Sequence, residues 1–162
     1  NVYNQIILQS RKKSLFLKFN IPDTIDGRFN FIIIHISLVI KQLRLDKKIG
    51  NRLVQILIDM MLSDMDLSLR EMGVGDTGIE KRVMSMANAY LARYNEYHYS
   101  LLKVSDSNLK KVLIKNIYNE LLPKETHLES IIYYIRIQDQ YIKNNGTKSI
   151  LNNNKIFNYK IE

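Results

Sequence analysis

The spacing of apolar residues predicts α-helices along nearly the whole chain. Apolar side chains recur every three or four positions, which places them on one face of a helix. We expect four helices in the first two thirds of the sequence, over residues 2–19, 24–45, 50–72 and 77–101. A fifth helix is predicted to begin near Asp106 and a sixth near Thr126.

The second predicted helix is apolar on every side. Its main face carries Phe29, Ile32, Ile33, Ile36, Val39, Ile40 and Leu43. The opposite face carries Phe31, Ile34 and Leu38. Because a helix that is apolar all round has to be buried all round, residues 24–45 are predicted to form the central helix. Pro22 separates this helix from the first, and Asp23 or Thr24 is expected to cap it.

Short motifs predict where the other helices begin and end. Gly73 is expected to stop the third helix. The pairs Thr77–Glu80 and Thr126–Glu129 fit capping boxes for the fourth and sixth helices. Residues 73–78 match the dinucleotide pattern G-x-G-x-x-G, but that pattern binds phosphate only after a strand. Since a helix precedes it here, the glycine-rich run is interpreted as a turn between two helices.

These elements predict an all-α protein, a single compact domain of about six helices. The helical domain is expected to span residues 1–143. Residues 144–162 are rich in Asn and are interpreted as a tail with little helix, docked or flexible. The third helix is predicted to bury Leu53, Ile56, Leu57, Met60, Met61 and Leu67. The tail side chains that could dock are Ile150, Leu151, Ile156, Phe157 and Tyr159.

Several polar residues interrupt the predicted apolar faces. Arg28 and His35 are seven residues apart on the central helix, and Asp64 and Glu71 fall in an apolar row of the third. Because an unpaired buried charge costs several kcal/mol, each charge needs a partner. The simplest interpretation is that the two helices face each other, with Arg28 or His35 meeting Asp64 or Glu71. With Asp26 added, the predicted buried polar network consists of Asp26, Arg28, His35 and Asp64. The alternative interpretation is that these residues form a partner-binding or catalytic cluster.

Composition narrows the chemistry. The chain has 162 residues and no Cys, which excludes thiolate metal sites and a Cys nucleophile. Its three histidines, His35, His98 and His127, show no metal-binding spacing, so neither a metal nor a cofactor is predicted. An enzyme that uses His35 with Asp64 or Glu71 remains an alternative. It would require a water-accessible cavity around His35.

The net charge of +8 raises nucleic acid, an acidic protein or an anionic membrane as partners. Bases concentrate before residue 20 and over residues 41–52, whereas acids concentrate over residues 59–82. A basic helical nucleic-acid-binding protein is therefore an alternative, although the tyrosines fall mostly on apolar stripes rather than among the bases. The first twenty residues lack the order of a signal peptide, and no membrane span is expected.

Three stretches and one further residue carry a family resemblance. They are residues 22–29 (Pro-Asp-Thr-Ile-Asp-Gly-Arg-Phe), residues 64–66 (Asp-Met-Asp), residues 69–76 (Leu-Arg-Glu-Met-Gly-Val-Gly-Asp) and Lys81. Over residues 21–101 the chain resembles the ubiquinol–cytochrome c chaperone family. It departs from the family at residues 91–93, which read Leu-Ala-Arg where relatives have Tyr-Gly-Arg.

The resemblance implies an assembly chaperone of respiratory complex III rather than an enzyme. Mitochondrial members bind newly made cytochrome b beside the membrane, together with a small helical partner. The expected partners are therefore cytochrome b or another complex III component, a small helical protein and an anionic membrane surface, but no nucleic acid. A bacterial member would act in the cytoplasm, on the inner face of the cytoplasmic membrane.

The loop between the third and fourth helices is the predicted client surface, because it carries more motif than a turn requires. Its candidate residues are Arg70, Glu71, Val74, Gly75, Asp76 and Lys81. The alternative is that Arg70 and Asp76 only brace the turn.

Overall fold

The computed structural model describes residues 1–152 and 154–158. Those residues form seven helices and no strand, so the predicted all-α class is confirmed. The helices are α1 (Val2–Ser10), α2 (Lys13–Phe19), α3 (Ile25–Leu43), α4 (Gly50–Glu71), α5 (Asp76–Leu102), α6 (Ser107–Asn116) and α7 (Glu125–Leu151). Tyr159, one of the predicted docking side chains of the tail, lies outside the described residues, as does Asn153.

Helix α3 is the centre of the fold, as its apolar pattern predicted. Every residue from Phe29 to Ile40 is buried. Helices α1, α4, α5 and α7 pack around it. The helix begins where Thr24 accepts a hydrogen bond from the backbone N–H of Gly27 at 3.1 Å, which satisfies one unpaired donor of the first turn.

The first turn of α3 lies directly against the preceding loop. A Cβ atom at Gly27 would stand 1.9 Å from the carbonyl oxygen of Pro22. That distance is far inside van der Waals contact with backbone, so only glycine fits. The glycine of the stretch 22–29 is therefore required by the close approach of two backbone segments.

The predicted first helix is in fact two helices. Helix α1 ends at Ser10, and α2 begins at Lys13 after a break at Arg11 and Lys12. Neither Pro nor Gly marks this break, so the residue pattern could not reveal it. The break places the side chain of Arg11 against Asp64 of α4 at 2.9 Å.

The expectation of little helix after residue 143 is wrong. Helical structure continues to Leu151, with one kink at Gly146, whose combination of φ 69° and ψ 175° is favourable only for glycine. Beyond the kink Ile150 is buried, and Ile156 and Phe157 farther along are buried as well. Burial of these apolar side chains holds the end of the described chain against the body.

The two predicted capping boxes are also wrong. Helix α5 begins one residue earlier than predicted, at Asp76, so Thr77 lies inside it. The N-cap of α7 is Lys124, and neither this residue nor Gly75 at the start of α5 provides a side-chain cap. In both cases the Thr of the motif lies inside the first turn of the helix and not at the N-cap position that a capping box requires.

Helix α4 buries a different face from the predicted one. Only Leu57 and Met61 of the predicted set are buried, whereas Ile56 and Leu67 are 43% and 55% exposed. The helix is apolar on two neighbouring stripes, and spacing alone does not decide which one faces the core. The buried stripe consists of Val54, Leu57, Met61, Met65 and Leu69.

Candidate functional site

Two motif stretches that are about forty residues apart in sequence meet at one surface cavity. Its volume is about 330 Å³. The stretch 22–29 contributes one wall, and the end of α4 contributes the other. We call it the motif cavity; it is lined by Arg11, Ile25, Arg28, Phe29, Ile32, Met65, Ser68, Glu71 and Met72.

The motif cavity has an apolar floor and a partly apolar rim. Phe29, Ile32 and Met65 are buried beneath it. Ile25 and Met72 at its edge are 43% and 51% exposed. Large apolar side chains that remain exposed beside a cavity are typical of a surface that binds another apolar group.

Both arginines that line this cavity already have carboxylate partners. Arg28 donates to both carboxylate oxygens of Asp23, at 2.6 and 3.2 Å, and this hydrogen bond lowers the pKa of Asp23. Arg11 pairs with Asp64, which also accepts a hydrogen bond from the hydroxyl of Tyr3 at 3.1 Å. The rim therefore presents fixed charges of both signs around an apolar floor.

The glycine-rich run forms the turn beside this cavity, as the sequence predicted. Gly73 has a φ of 79°, and its N–H donates to the carbonyl of Arg70 at 2.9 Å. The N–H of Val74 donates to the carbonyl of Leu69 at 3.2 Å. These two bonds define a Schellman motif, which ends α4 and leads directly into α5.

Arg70 joins the two helices across this turn. Its guanidinium donates to Asp66 at 2.8 Å within α4 and to Asp76 at 2.7 Å at the start of α5. Both carboxylates raise the pKa of Arg70, with Asp66 the larger cause. The bracing interaction is therefore present, and the next residue along α4, Glu71, lines the motif cavity.

The other predicted surface residues surround this turn. Gly75 and Lys81 are exposed, and Val74 is half-buried. A Cβ at Gly75 would meet no atom within 4 Å, so that face of the turn is open. The candidate residues thus share one end of the α4–α5 pair, but only Glu71 lines the cavity itself.

The predicted buried polar network does not form. Asp26 and Arg28 are exposed, and Arg28 pairs with Asp23 within its own segment. Asp64 is half-buried and pairs with Arg11, a partner 53 residues away that the sequence did not indicate. The predicted contacts of Arg28 or His35 with Asp64 or Glu71 are therefore wrong.

His35 belongs to a separate, neutral network in the core. Its Nδ1 lies 2.7 Å from the carbonyl oxygen of Phe31, which can only accept, so Nδ1 carries the proton. The hydroxyl of Tyr134 then donates to Nε2 at 2.7 Å and accepts from the amide of Gln9 at 2.9 Å. Burial lowers the pKa of His35 to about 4, so the ring needs no carboxylate partner.

The core position of His35 excludes the water-accessible cavity that an enzyme using this residue would require. The residue is fully buried, packed edge-on against the rings of Phe31 and Phe157. Within residues 1–152 and 154–158, no group of three acidic, His or Cys side chains could hold a metal ion. In the same part of the chain, no helix is both long and apolar enough to cross a membrane.

One apolar surface was assigned to the core by the sequence pattern. It is a row on the outward side of α4, which we call the outer α4 stripe: Leu53, Ile56, Met60 and Leu67. Part of this stripe lines a cavity of about 230 Å³ beside Val2 and Leu151. The signal that could have revealed it is the second apolar stripe of α4, of which Leu53 and Met60 pack partly against the core while Ile56 and Leu67 stay exposed.

Comparison with known proteins gives a consistent result. Human ubiquinol–cytochrome c reductase complex assembly factor 1 is 23% identical over 150 residues, which is 93% of this chain and 50% of that protein. The Xenopus laevis protein of that name is 21% identical over 127 residues, 78% of this chain and 63% of its own. The chain therefore spans about half the length of the human relative.

The fold has a solved counterpart. The crystal structure of the Cbp3 homolog from Brucella abortus matches with a TM-score of 0.80 and 27% identity, over 92% of this chain and 82% of that one. The family described as ubiquinol–cytochrome c chaperone matches residues 17–157, which include both walls of the motif cavity. The chain belongs to the ubiquinol–cytochrome c chaperone family.

Proposed function

We propose that this protein is an assembly chaperone for ubiquinol–cytochrome c reductase, respiratory complex III. The family is one of chaperones rather than enzymes, and the human and frog relatives are named as assembly factors of that complex. The observation that carries the proposal is the motif cavity. Two separate motif stretches build one open, partly apolar site.

The proposed client is newly made cytochrome b or another component of complex III. A protein destined for a membrane exposes apolar segments with polar ends before it is assembled. The apolar floor at Phe29, Ile32 and Met65 would receive such side chains, and the charges of Arg28 and Glu71 would pair with polar flanks. The turn residues Arg70, Val74, Gly75, Asp76 and Lys81 would extend this contact.

The outer α4 stripe is the proposed surface for a small helical partner. Its apolar residues follow helical spacing, and Ile56 and Leu67 are substantially exposed. An amphipathic helix that packs along such a stripe would bury these side chains, as in other helix-in-groove contacts.

The proposed location is the inner face of a bacterial cytoplasmic membrane, in peripheral contact with it. The net charge of +8 favours an anionic surface. The structural relative from Brucella abortus supports a bacterial setting.

The experiment is complementation of a deletion strain, with assembled complex III measured on native gels. The wild-type gene should restore the complex, whereas the double variant Ile25→Asp and Met72→Asp at the cavity rim should not. The matched control is Leu17→Asp with Leu122→Asp, because these leucines are 71% and 83% exposed and line no described cavity. Normal complex III in the deletion strain would refute the proposal.

A further inference from the structure

A second groove lies at the opposite end of α3 from the motif cavity. The C-terminal ends of α3 and α5 and the middle of α7 enclose a volume of about 740 Å³. Its charges are strongly one-sided, and we call it the basic groove. The ionised side chains on its walls are Lys41, Arg44, Lys103, Arg136, Lys143 and one acid, Asp139.

Two of these cations are neutralised within the protein. Lys41 contacts both carboxylate oxygens of Asp139, at 2.7 and 2.8 Å. Arg136 donates to Asp106 at 2.8 Å and to the backbone carbonyl of Lys103 at 2.8 Å. These pairs hold α7 against α3 and against the loop after α5, and they shape the groove.

The other three cations have no carboxylate partner in the described chain. The guanidinium of Arg44 lies 5.0 Å from the ring centre of Tyr94, and the ammonium of Lys103 lies 4.7 Å from that of Tyr99. Lys143 is exposed. Arg44, Lys103 and Lys143 therefore leave a net positive charge facing the groove.

The basic groove also carries three large aliphatic side chains in solvent. Leu45, Leu102 and Val104 line it and are 71%, 62% and 100% exposed. Cations near the ends of α3 and α5 complement the negative end of each helix dipole, which accounts for the charge alone. Helix dipoles do not account for apolar side chains held in water beside those cations.

We propose that the basic groove binds the phosphate headgroup of an anionic phospholipid at the membrane surface. Arg44, Lys103 and Lys143 would contact the headgroup. Leu45, Leu102 and Val104 would enter the boundary between headgroups and acyl chains. This combination of cations with exposed aliphatic residues is what interfacial binding to an anionic leaflet requires.

The proposal deepens the proposed function, on which its membrane setting rests, and it is compatible with client binding. Phe29 in the motif cavity and Gln42 in the basic groove are thirteen residues apart on α3. At a rise of about 1.5 Å per residue, the two sites lie roughly 20 Å apart. Contact with the lipid at one end leaves the client cavity open at the other.

The test is flotation of the full chain with vesicles of phosphatidylcholine containing about 30 mol% phosphatidylglycerol, at roughly 50 mM salt where electrostatic attraction is strong. Pure phosphatidylcholine vesicles serve as the uncharged reference. The groove variant combines Arg44→Gln, Lys103→Gln and Lys143→Gln. The control variant combines Lys18→Gln, Lys111→Gln and Lys124→Gln, three exposed lysines that do not line the groove.

The wild type and the control variant should bind the anionic vesicles within a few-fold of each other. The groove variant should lose on the order of a hundredfold in partitioning, since each of the three surface cations contributes about a factor of five. Replacing Leu45, Leu102 and Val104 by Ser should weaken binding most at high salt. Equal losses in groove and control variants would overturn the proposal.

Absence of wild-type binding to anionic vesicles would also overturn it, as would stronger binding of the groove to duplex DNA than to vesicles. These outcomes are separate from the proposed function. If complementation succeeds while vesicle binding fails, only the lipid site is refuted. If vesicle binding succeeds in a protein whose deletion leaves complex III normal, only the chaperone role is refuted.

Discussion

The guanidinium of Arg70, near the end of α4, donates a hydrogen bond to the carboxylate of Asp76, the first residue of α5, at 2.7 Å. This contact spans the glycine-rich turn and holds it beside the motif cavity. Because Asp76 is 90% exposed, the contact is screened by water and adds little to stability. The contact lies where the motif stretches 22–29 and 69–76 meet. We therefore expect it to serve the client-binding surface rather than the stability of the core.

Replacing Asp76 by Asn separates a role in stability from a role in client binding. The free energy of unfolding should fall by less than about 1 kcal/mol, since exposed ion pairs contribute little. The yield of assembled complex III in a complemented deletion strain should nevertheless fall. The variant removes a negative charge, and the ion pair with Arg70, from the proposed client-binding surface. Urea unfolding and native gels measure the two effects.

The control for this variant is Glu80→Gln, which makes the same change of charge one turn farther along α5, at another exposed position. Complex III should assemble normally with it. If Asp76→Asn also supports normal assembly, Arg70 and Asp76 only brace the turn.

The buried imidazole of His35 predicts a pH-dependent stability. Its pKa of about 4 in the folded chain lies below the ordinary value of 6.5, mainly because burial disfavours the charged ring. Between these values the unfolded chain binds a proton that the folded chain excludes, so stability is lost as the pH falls. From pH 7.5 to pH 5 the loss from this residue should be about 2 kcal/mol.

Comparison with His35→Gln checks this prediction. The variant should be less stable at neutral pH, because the bond from Tyr134 is altered, but its stability should change less between pH 7.5 and pH 5. The matched control, His127→Gln, replaces a half-buried histidine near the start of α7 and leaves the bonds of His35 to Phe31 and Tyr134 in place. An unchanged slope in His35→Gln would contradict the neutral network.

Gly27 provides a direct test of the close approach at the start of α3. Gly27→Ala would force a Cβ atom to within 1.9 Å of the carbonyl oxygen of Pro22, so the backbone would have to move. We expect a loss of about 3 kcal/mol in the free energy of unfolding, at the upper end for overpacking. Gly75→Ala, where a Cβ would meet no atom within 4 Å, should cost no more than about 1 kcal/mol, because Ala is only a poorer N-cap than Gly. Equal unfolding midpoints for both variants would refute the close approach.

Local pattern was sufficient for the central helix and for the glycine-rich turn. Helix α3 carries apolar residues on all sides, which only burial on all sides can accommodate. Gly73 ends α4 through a conformation that glycine favours. The resemblance in residues 22–29 and 69–76 indicated the region of the candidate site. That the two stretches meet in one cavity is a consequence of how α3 packs beside α4.

The errors about the buried face of α4 and about the polar partners concern choices that tertiary packing makes. Helix α4 has two apolar stripes, and only its neighbours decide which one is buried. The pairing of Arg11 with Asp64 joins residues 53 positions apart, and the bond between His35 and Tyr134 joins residues 99 apart. Spacing along one helix carries no information about such partners. A histidine that a buried hydroxyl can satisfy needs no acid, which is why the predicted network was wrong.

The central claim is that the motif cavity holds a component of complex III, and affinity purification of the tagged full chain from detergent-solubilised membranes tests it most directly. Mass spectrometry should find cytochrome b peptides enriched with the wild type. This enrichment should be lost with the Ile25→Asp and Met72→Asp double variant but kept with the Leu17→Asp and Leu122→Asp control. Recovery of no complex III component, or equal recovery with both double variants, would contradict the account.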